Sequence, residues 1–152
     1  MSDDITKHQE AIALICREVT EIKKAFSTAP EKLDTAELPA AYSLTSSATD
    51  SETTYGEKES DVKRVYRIQV AVLPIGQATP ILRETKCRSL LDKVRKQFKK
   101  HPLLKNVEFV QNATVLGDSG VVILPEFGMM FVGFEIRLQV EYTEIVDIDP
   151  LE

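Results

Sequence analysis

The sequence contains no long apolar run, and none of its hydrophobic stretches approaches the roughly 18 residues of a membrane-spanning helix. It also shows no secretory signal. We therefore expect the two cysteines, Cys16 and Cys87, to be reduced and partly buried thiols. Together these absences predict a protein with no membrane partner.

Residue patterns that bind metals, phosphates or cofactors are also missing. The only histidines are His8 and His101, and neither has cysteine or carboxylate neighbours at the spacing of a metal site. The six glycines are scattered and form no phosphate-binding or dinucleotide-binding motif. We therefore expect no metal and no cofactor, and we expect both histidines to face solvent.

One tetrapeptide, Gly117-Asp118-Ser119-Gly120, shares its letters with the nucleophile segment of trypsin-like proteases. A nucleophilic serine needs a base within hydrogen-bonding distance and a third group that orients this base. Only His8 and His101 are available as bases, and Val121 stands where the protease motif has its next glycine. A turn between two apolar strands explains the tetrapeptide without catalysis, so we predict that the protein is not an enzyme.

The composition of the 152 residues, 43% hydrophobic and 28% charged, predicts a single domain, 1–152, with one core. Its net charge of −5 is unevenly spread. Residues 1–61 carry 6 basic and 13 acidic side chains, residues 62–105 carry 12 and 2, and residues 106–152 carry 1 and 9. A basic middle between acidic ends is either a set of solvated faces or favours contacts within the chain or head-to-tail contacts between copies.

The clearest predicted element is a long strand from Phe131 to Val146. Apolar and aromatic residues alternate there with polar ones, among them Glu135, Arg137 and Glu141, so one face is buried and the other is charged. A sheet with one solvated face is usually antiparallel. Val62–Leu73 alternates in the same way and predicts a second strand.

Two helices are predicted to cover the apolar face of this sheet. The first, Asp3–Phe26, carries an apolar stripe at helical spacing and an N-cap at Ser2 or Asp3. The second begins with Thr79 as its N-cap and Pro80 in its first turn, and it ends near Lys100, two residues before a proline.

The second helix is strongly basic, with eight Lys or Arg residues between Arg83 and Lys100. Such a face can neutralise phosphates, so a nucleic-acid-binding module that uses the helix 83–100 is one alternative function. The aromatic residues that stack on single-stranded bases are missing from this face, because Phe98 belongs to the buried stripe. The missing aromatic residues and the acidic net charge of the chain both argue against nucleic-acid binding.

The rest of the chain is predicted in less detail. A short strand is predicted at Ala40–Leu44, and the polar segment 43–61 is interpreted as a disordered linker or as an arm that orders against a partner. Val107–Leu116 and Val121–Leu124 are predicted to form a hairpin, and residues 147–152 an acidic tail. The predicted fold is therefore α+β, with an antiparallel or mixed sheet of about four strands, two helices packed on one face, and a long polar loop between the first helix and the second strand.

Four segments, taken in order, resemble the tail terminator (tail completion) proteins of long-tailed bacteriophages. They are LPAAY at 38–42, RVYRIQVAVLP at 64–74, LLDKVRKQF at 90–98 and FVGFEIRLQVEY at 131–142. The shared feature is hydrophobic patterning along nearly the whole chain.

The resemblance implies a structural role in the virion, with no catalytic residues. Proteins of this family form a ring, typically of six copies, that caps the head-proximal end of the tail tube, stops its polymerisation and joins the tail to the neck. The implied partners are further copies of the chain, the tail tube protein, and a neck, head-completion or connector protein. DNA passes through such a ring without sequence-specific binding. The implied location is the head–tail junction of the virion, after assembly in the host cytoplasm. Another connector or stopper ring of the neck is the nearest alternative.

The candidate interface residues are charged or lie in exposed loops. They are Arg83, Lys86, Lys93, Lys96, Lys100, Tyr55, Asp118, Ser119, Glu135, Arg137 and Glu141. A first hypothesis is that Lys93, Lys96 and Lys100 meet acidic residues of a neighbouring copy or of the tube protein. A second is that the polar arm and the Gly117–Gly120 hairpin reach along the tube or into the neck.

Overall fold

The structure, a computed structural model, describes residues 3–51 and 59–146. The chain forms α1 (Asp4–Arg17), β1 (Lys24–Ala25), β2 (Ala40–Asp50), β3 (Glu59–Pro74), α2 (Pro80–Leu82), a π-helical turn (Arg83–Cys87), α3 (Arg88–Lys99), β4 (Val110–Asp118), β5 (Val122–Leu124) and β6 (Phe131–Ile145). Because α2, the π-helical turn and α3 follow one another without a break, they form one helical segment. Within these two ranges, no helix is long and apolar enough to cross a membrane.

The six strands form one mixed sheet in the order β1-β2-β3-β6-β4, and β5 also pairs with β6. β1 runs parallel to β2, and the other pairs are antiparallel. The predicted α+β class with two helices and a mixed sheet is confirmed. The prediction of about four strands is roughly compatible with this sheet, and the strand that it missed is β1, whose two residues are too few to show a periodic pattern.

The main core lies between the two helical segments and one face of the sheet. Ile68 of β3 and Ile136 of β6 are completely buried there, together with Val94 of α3. Over Tyr66–Val72 and Phe134–Tyr142, every second side chain enters this core, as the alternation predicted. Ala71 and Phe131 occupy the other positions and are buried in a second, smaller cluster. Both cysteines are free and buried, as expected.

The first helix is shorter than predicted, since it ends at Arg17 and not at Phe26. The following residues include β-branched Val19 and Ile22, which are weak helix formers, and both are buried in the turns after α1. The chain then returns to the sheet through β1, and the guanidinium of Arg17 donates to the carbonyl of Ala25 at 2.8 Å. The prediction of an N-cap is confirmed at Asp3, whose side chain accepts from the Thr6 amide at 2.7 Å.

The second helical segment begins and ends as predicted. The Thr79 hydroxyl accepts from the Leu82 amide at 3.3 Å, Pro80 occupies the first turn, and α3 ends at Lys99. The unpredicted feature is the π-helical turn, which interrupts the regular helix at Arg83–Cys87. Such turns are rare and place side chains at angles that a regular helix does not allow.

The interpretation of residues 43–61 as a disordered linker, or as an arm that orders only against a partner, was wrong for most of the segment. β2 continues to Asp50 and β3 begins at Glu59, and the two strands pair as far as Asp50 and Val62. The outer half of β2 is exposed on both faces, so its residues are polar apart from Ala48, and no period-two signal exists. Tyr55 and the rest of 52–58, like the acidic tail 147–152, lie outside the described residues.

The predicted hairpin around Gly117–Gly120 was also wrong. β4 and β5 both pair antiparallel with the same edge of β6, at Ile136–Tyr142 and at Phe131–Gly133. They are therefore two parts of one interrupted strand that runs in a single direction. Gly120 has a positive φ of 68°, which provides the local bend between them.

Candidate interface

The sequence-predicted interface residues lie on three separate surfaces, apart from Tyr55, which is outside the described residues. Five lie on the second helical segment, two lie where β4 ends at the sheet edge, and three lie on the face of the sheet that points away from the helices. The structure therefore does not bring them together into one site.

The lysines of α3 differ in how they are engaged. Lys93 pairs with Glu21 of the loop after α1 at 2.7 Å, and Lys96 pairs with Asp92 of the same helix at 2.8 Å. Among the described residues, Lys99 and Lys100 have no ion-pair partner, and both are exposed. Within α3 and its last turn, the cations that remain available to another molecule therefore lie at the C-terminal end.

Arg83 has a local structural role in the helical segment. Its Nε donates to the carbonyl of Ala78 at 3.0 Å, which closes the loop that precedes the helix. Because this half-buried guanidinium is already bonded within its own segment, Arg83 is a weaker interface candidate than Lys86, which is exposed.

Glu135 belongs to a polar cluster on the far face of the sheet. Its Oε1 accepts from Arg67 Nε at 2.8 Å and from Gln69 Nε2 at 3.0 Å. The hydroxyl of Tyr42 donates to Gln69 Oε1 at 2.6 Å, and Arg67 Nη2 donates to Glu126 Oε1 at 3.3 Å. The other oxygen of Glu126, Oε2, is buried without a hydrogen-bond partner in the described ranges. The carboxylate of Glu135 is thus already hydrogen-bonded to residues of its own chain.

Arg137 and Glu141 lie further along the far face of β6. Arg137 is exposed, and it stands directly opposite Arg67 in the register with β3. Glu141 is half-buried, and within residues 3–51 and 59–146 its one ion pair is a long one, 3.9 Å, with Lys63. Of the three predicted residues on this face, these two are the ones that remain accessible.

Asp118 and Ser119 hold the interrupted edge strand against β6. Ser119 donates its amide to the carbonyl of Glu135 at 2.9 Å, and its hydroxyl accepts from the Glu135 amide at 2.9 Å. Asp118 accepts from the Gly120 amide at 2.8 Å and pairs with Arg95 at 2.7 Å. These contacts give both residues a structural role in the break between β4 and β5.

His8 is buried, which corrects the expectation that it faces solvent. Its side chain is 1% exposed, its Nδ1 lies 2.6 Å from the hydroxyl of Tyr66, and its ring packs edge-on against Tyr142. Burial lowers the pKa of His8 to about 4. A signal was present in the sequence, because His8 lies three residues after Ile5 and four before Ile12, on the apolar stripe of α1.

His101, the other histidine, is half-buried beside α1. Its Nε2 lies 3.0 Å from a carboxylate oxygen of Glu18, which also pairs with Lys105. Neither histidine is therefore bonded to Ser119. Within the described residues, no group of three His, Cys, Asp or Glu side chains is placed to hold a metal ion.

Sequence reasoning missed a cavity of about 570 Å³ between the helical segment and the end of β3. Leu38, Val72 and Leu90 form its apolar part, and Lys23, Lys86 and Lys93 are its cations. We call it the basic cavity. The π-helical turn contributes Lys86 to the wall, and this irregularity has no signature in the hydrophobic pattern.

The end of the sheet away from the basic cavity is acidic. The strand register places the exposed side chains of Asp50, Glu59 and Asp61 near half-buried Glu144. We call these four residues the acidic end. The uneven charge of the sequence has thus become a separation in space, with opposite charges at opposite ends of the sheet.

A scan against protein-family models found no match, and a search of curated proteins found no significant one.

Proposed function

We propose that this chain is a structural protein of a long-tailed phage virion, the subunit of a tail terminator ring. In this role the ring, of six copies, caps the head-proximal end of the tail tube and connects it to the neck. The sequence resemblance suggests the role, and the observation that carries it is the separation of charge between the basic cavity and the acidic end. Two different, complementary patches on one chain favour head-to-tail contacts, and such contacts close into rings when the rotation between copies allows it.

The position of the unpaired cations supports a second contact. Lys99 and Lys100 extend from the C-terminal turn of α3, where positive charge is also favoured by the helix dipole. In the proposed ring they meet carboxylates of a neighbouring copy or of the tube protein. Lys93 and Lys96 are less suitable as contacts, because each is already paired within the chain.

Reversal of Lys99 and Lys100 to glutamate is expected to weaken ring capping about 30-fold, since two reversed contacts of about 1 kcal/mol each add to about 2 kcal/mol. The measurement is the length distribution of tail tubes assembled from purified tube protein with increasing amounts of the ring protein. The matched control is Lys24→Glu with Lys32→Glu, which changes the net charge equally at two exposed positions away from α3. Equal capping by both variants would refute the role of α3.

The hypothesis that the polar arm contacts the tube or the neck is tested separately, at residues 52–58. Replacement of residues 52–58 by a glycine–serine linker of equal length preserves the paired parts of β2 and β3, so the fold is expected to persist. Tail assembly is expected to fall if this segment contacts the tube or the neck. Thermal unfolding at an unchanged temperature, together with normal tail assembly, would remove the arm from the interface.

A nucleic-acid-binding module is the competing function, and the unpaired lysines of α3 are the observation that favours it. Phe98, the aromatic residue nearest to them in the helix, is only 1% exposed, so no base can stack on it. Light scattering and DNA titration separate the two functions. A closed ring supports the terminator, whereas a monomer with salt-dependent DNA binding at physiological ionic strength supports the module.

A further inference from the structure

We infer that the basic cavity binds the acidic segment 147–152 of a neighbouring copy. This inference rests on the proposed ring, and it names the contact that would join one subunit to the next. The segment reads Asp147-Ile148-Asp149-Pro150-Leu151-Glu152, with three carboxylates and two large apolar side chains in six residues.

The chemistry of the cavity matches this composition. Lys23 and Lys86 have no ion-pair partner within the described residues, and Lys93 pairs with Glu21, which also lines the cavity. Leu38 and Leu90 line the same cavity and provide an apolar surface. A peptide that alternates carboxylates with apolar side chains can therefore pair with the lysines and cover the leucines at the same time.

Geometry excludes the cavity of the same copy. β6 ends at Ile145, which pairs with Glu59, whereas the cavity lies beside Leu73 at the other end of β3. These two points of β3 are separated by about 45 Å along the strand, at the usual rise per residue. Residues 147–152, fully extended, span only about 20 Å. The occupant must come from another copy, as a head-to-tail assembly requires.

The internal segment 52–58 is a poorer match for the cavity. It starts from the same acidic end of the sheet, but it carries Lys58 beside its two glutamates and has no large aliphatic residue. The tail is therefore the segment of this chain that fits both the lysines and the apolar surface.

A peptide titration tests the inference directly. The receptor is the full chain with Asp147→Asn, Asp149→Asn and Glu152→Gln, so that its own tail does not compete. The probe is a fluorescent peptide of residues 144–152 with an amidated C-terminus. We expect a dissociation constant on the order of 100 µM by fluorescence anisotropy, weak for a free peptide but sufficient when a ring holds the tail nearby.

Two variants of this receptor make the titration specific. Lys23→Glu with Lys86→Glu is expected to weaken peptide binding at least 10-fold, while Lys24→Glu with Lys32→Glu, which changes the net charge equally, is expected to leave it unchanged. Equal weakening by both pairs, or no binding at about 1 mM peptide, would overturn the inference.

Cross-linking of the unmodified chain shows whether the contact joins different copies. A carbodiimide is expected to link Lys23 or Lys86 to a carboxylate of 147–152, and a mixture of isotopically labelled and unlabelled protein is expected to give mixed links. Links confined to one copy would contradict the inference.

Failure of this inference can be distinguished from failure of the proposed function. Peptide binding without tube capping would remove the terminator role alone. Capping by the neutral-tail protein without peptide binding would remove this contact alone.

Discussion

Replacement of Gly133 by alanine is expected to lower the free energy of unfolding by about 3 kcal/mol or more. Gly133 lies in β6 opposite Ala71, where a bulge in β3 brings the two backbones close together. A Cβ atom at this position would collide with the backbone carbonyl of Val70. Because the obstacle is backbone in the centre of the sheet, no side-chain rotation relieves it, and the two longest strands must separate.

Denaturant unfolding of the purified variant measures this effect. Gly117→Ala is the matched control, because Gly117 also lies in a strand that pairs with β6 but a Cβ atom there meets nothing within 4 Å. Its free energy of unfolding is expected to change by less than about 1 kcal/mol. Similar values for Gly133→Ala and Gly117→Ala would show that the approach of Val70 is not a constraint on the fold.

This close approach also shows what the sequence could not predict. In the pattern of β6, Gly133 is simply a small residue between Val132 and Phe134, and a single glycine in a strand has several explanations. Its role depends on the bulge of β3, which is about 60 residues away in the chain. The alternation of Val62–Leu73 and Phe131–Val146 was predictable because it is a local consequence of one buried face.

The errors elsewhere have a common physical cause. The outer part of β2 is exposed on both faces, so neither face selects apolar residues, and pairing with β3 alone makes it a strand. The turn at Gly117–Gly120 has the composition of a hairpin, but pairing of β4 and β5 with the same edge of β6 keeps the chain direction unchanged. In both cases the structure is set by pairing with strands distant in sequence, and local composition does not reveal this pairing.

The candidate interface was predictable only in part. The basic face of the second helix is visible in the sequence, and Lys86 and Lys100 are exposed as expected. Which of these cations are available depends on partners distant in sequence, such as Glu21 for Lys93. The basic cavity depends further on the π-helical turn and on the loop after α1, and neither has a periodic signal.

Acidification is expected to destabilise the protein through His8 by about 3 kcal/mol between pH 6.5 and pH 4. Burial lowers the pKa of His8 from 6.5 to about 4, and the Arg64 charge acts in the same direction against the opposing effect of Asp4. In this pH range the unfolded chain binds a proton that the folded chain does not bind, so stability falls as the pH falls. Well above pH 6.5 the imidazole is neutral in both states, and its contribution is constant.

The test is a series of denaturant unfolding curves between pH 7 and pH 4.5 for the wild type, His8→Gln and His101→Gln. Glutamine at position 8 can keep a hydrogen bond to Tyr66 but does not titrate, so the slope of stability against pH is expected to become flatter by about 1 kcal/mol per pH unit. His101→Gln removes the half-buried histidine beside Glu18 and serves as the comparison for loss of a histidine elsewhere in the chain. If His8→Gln keeps the wild-type slope and His101→Gln loses it, the acid sensitivity belongs to His101, and the prediction for His8 is wrong. The expected result connects pH to the packing of α1 on the sheet, because protonation of His8 would place a positive charge in the buried contact that its ring makes with Tyr66 and Tyr142.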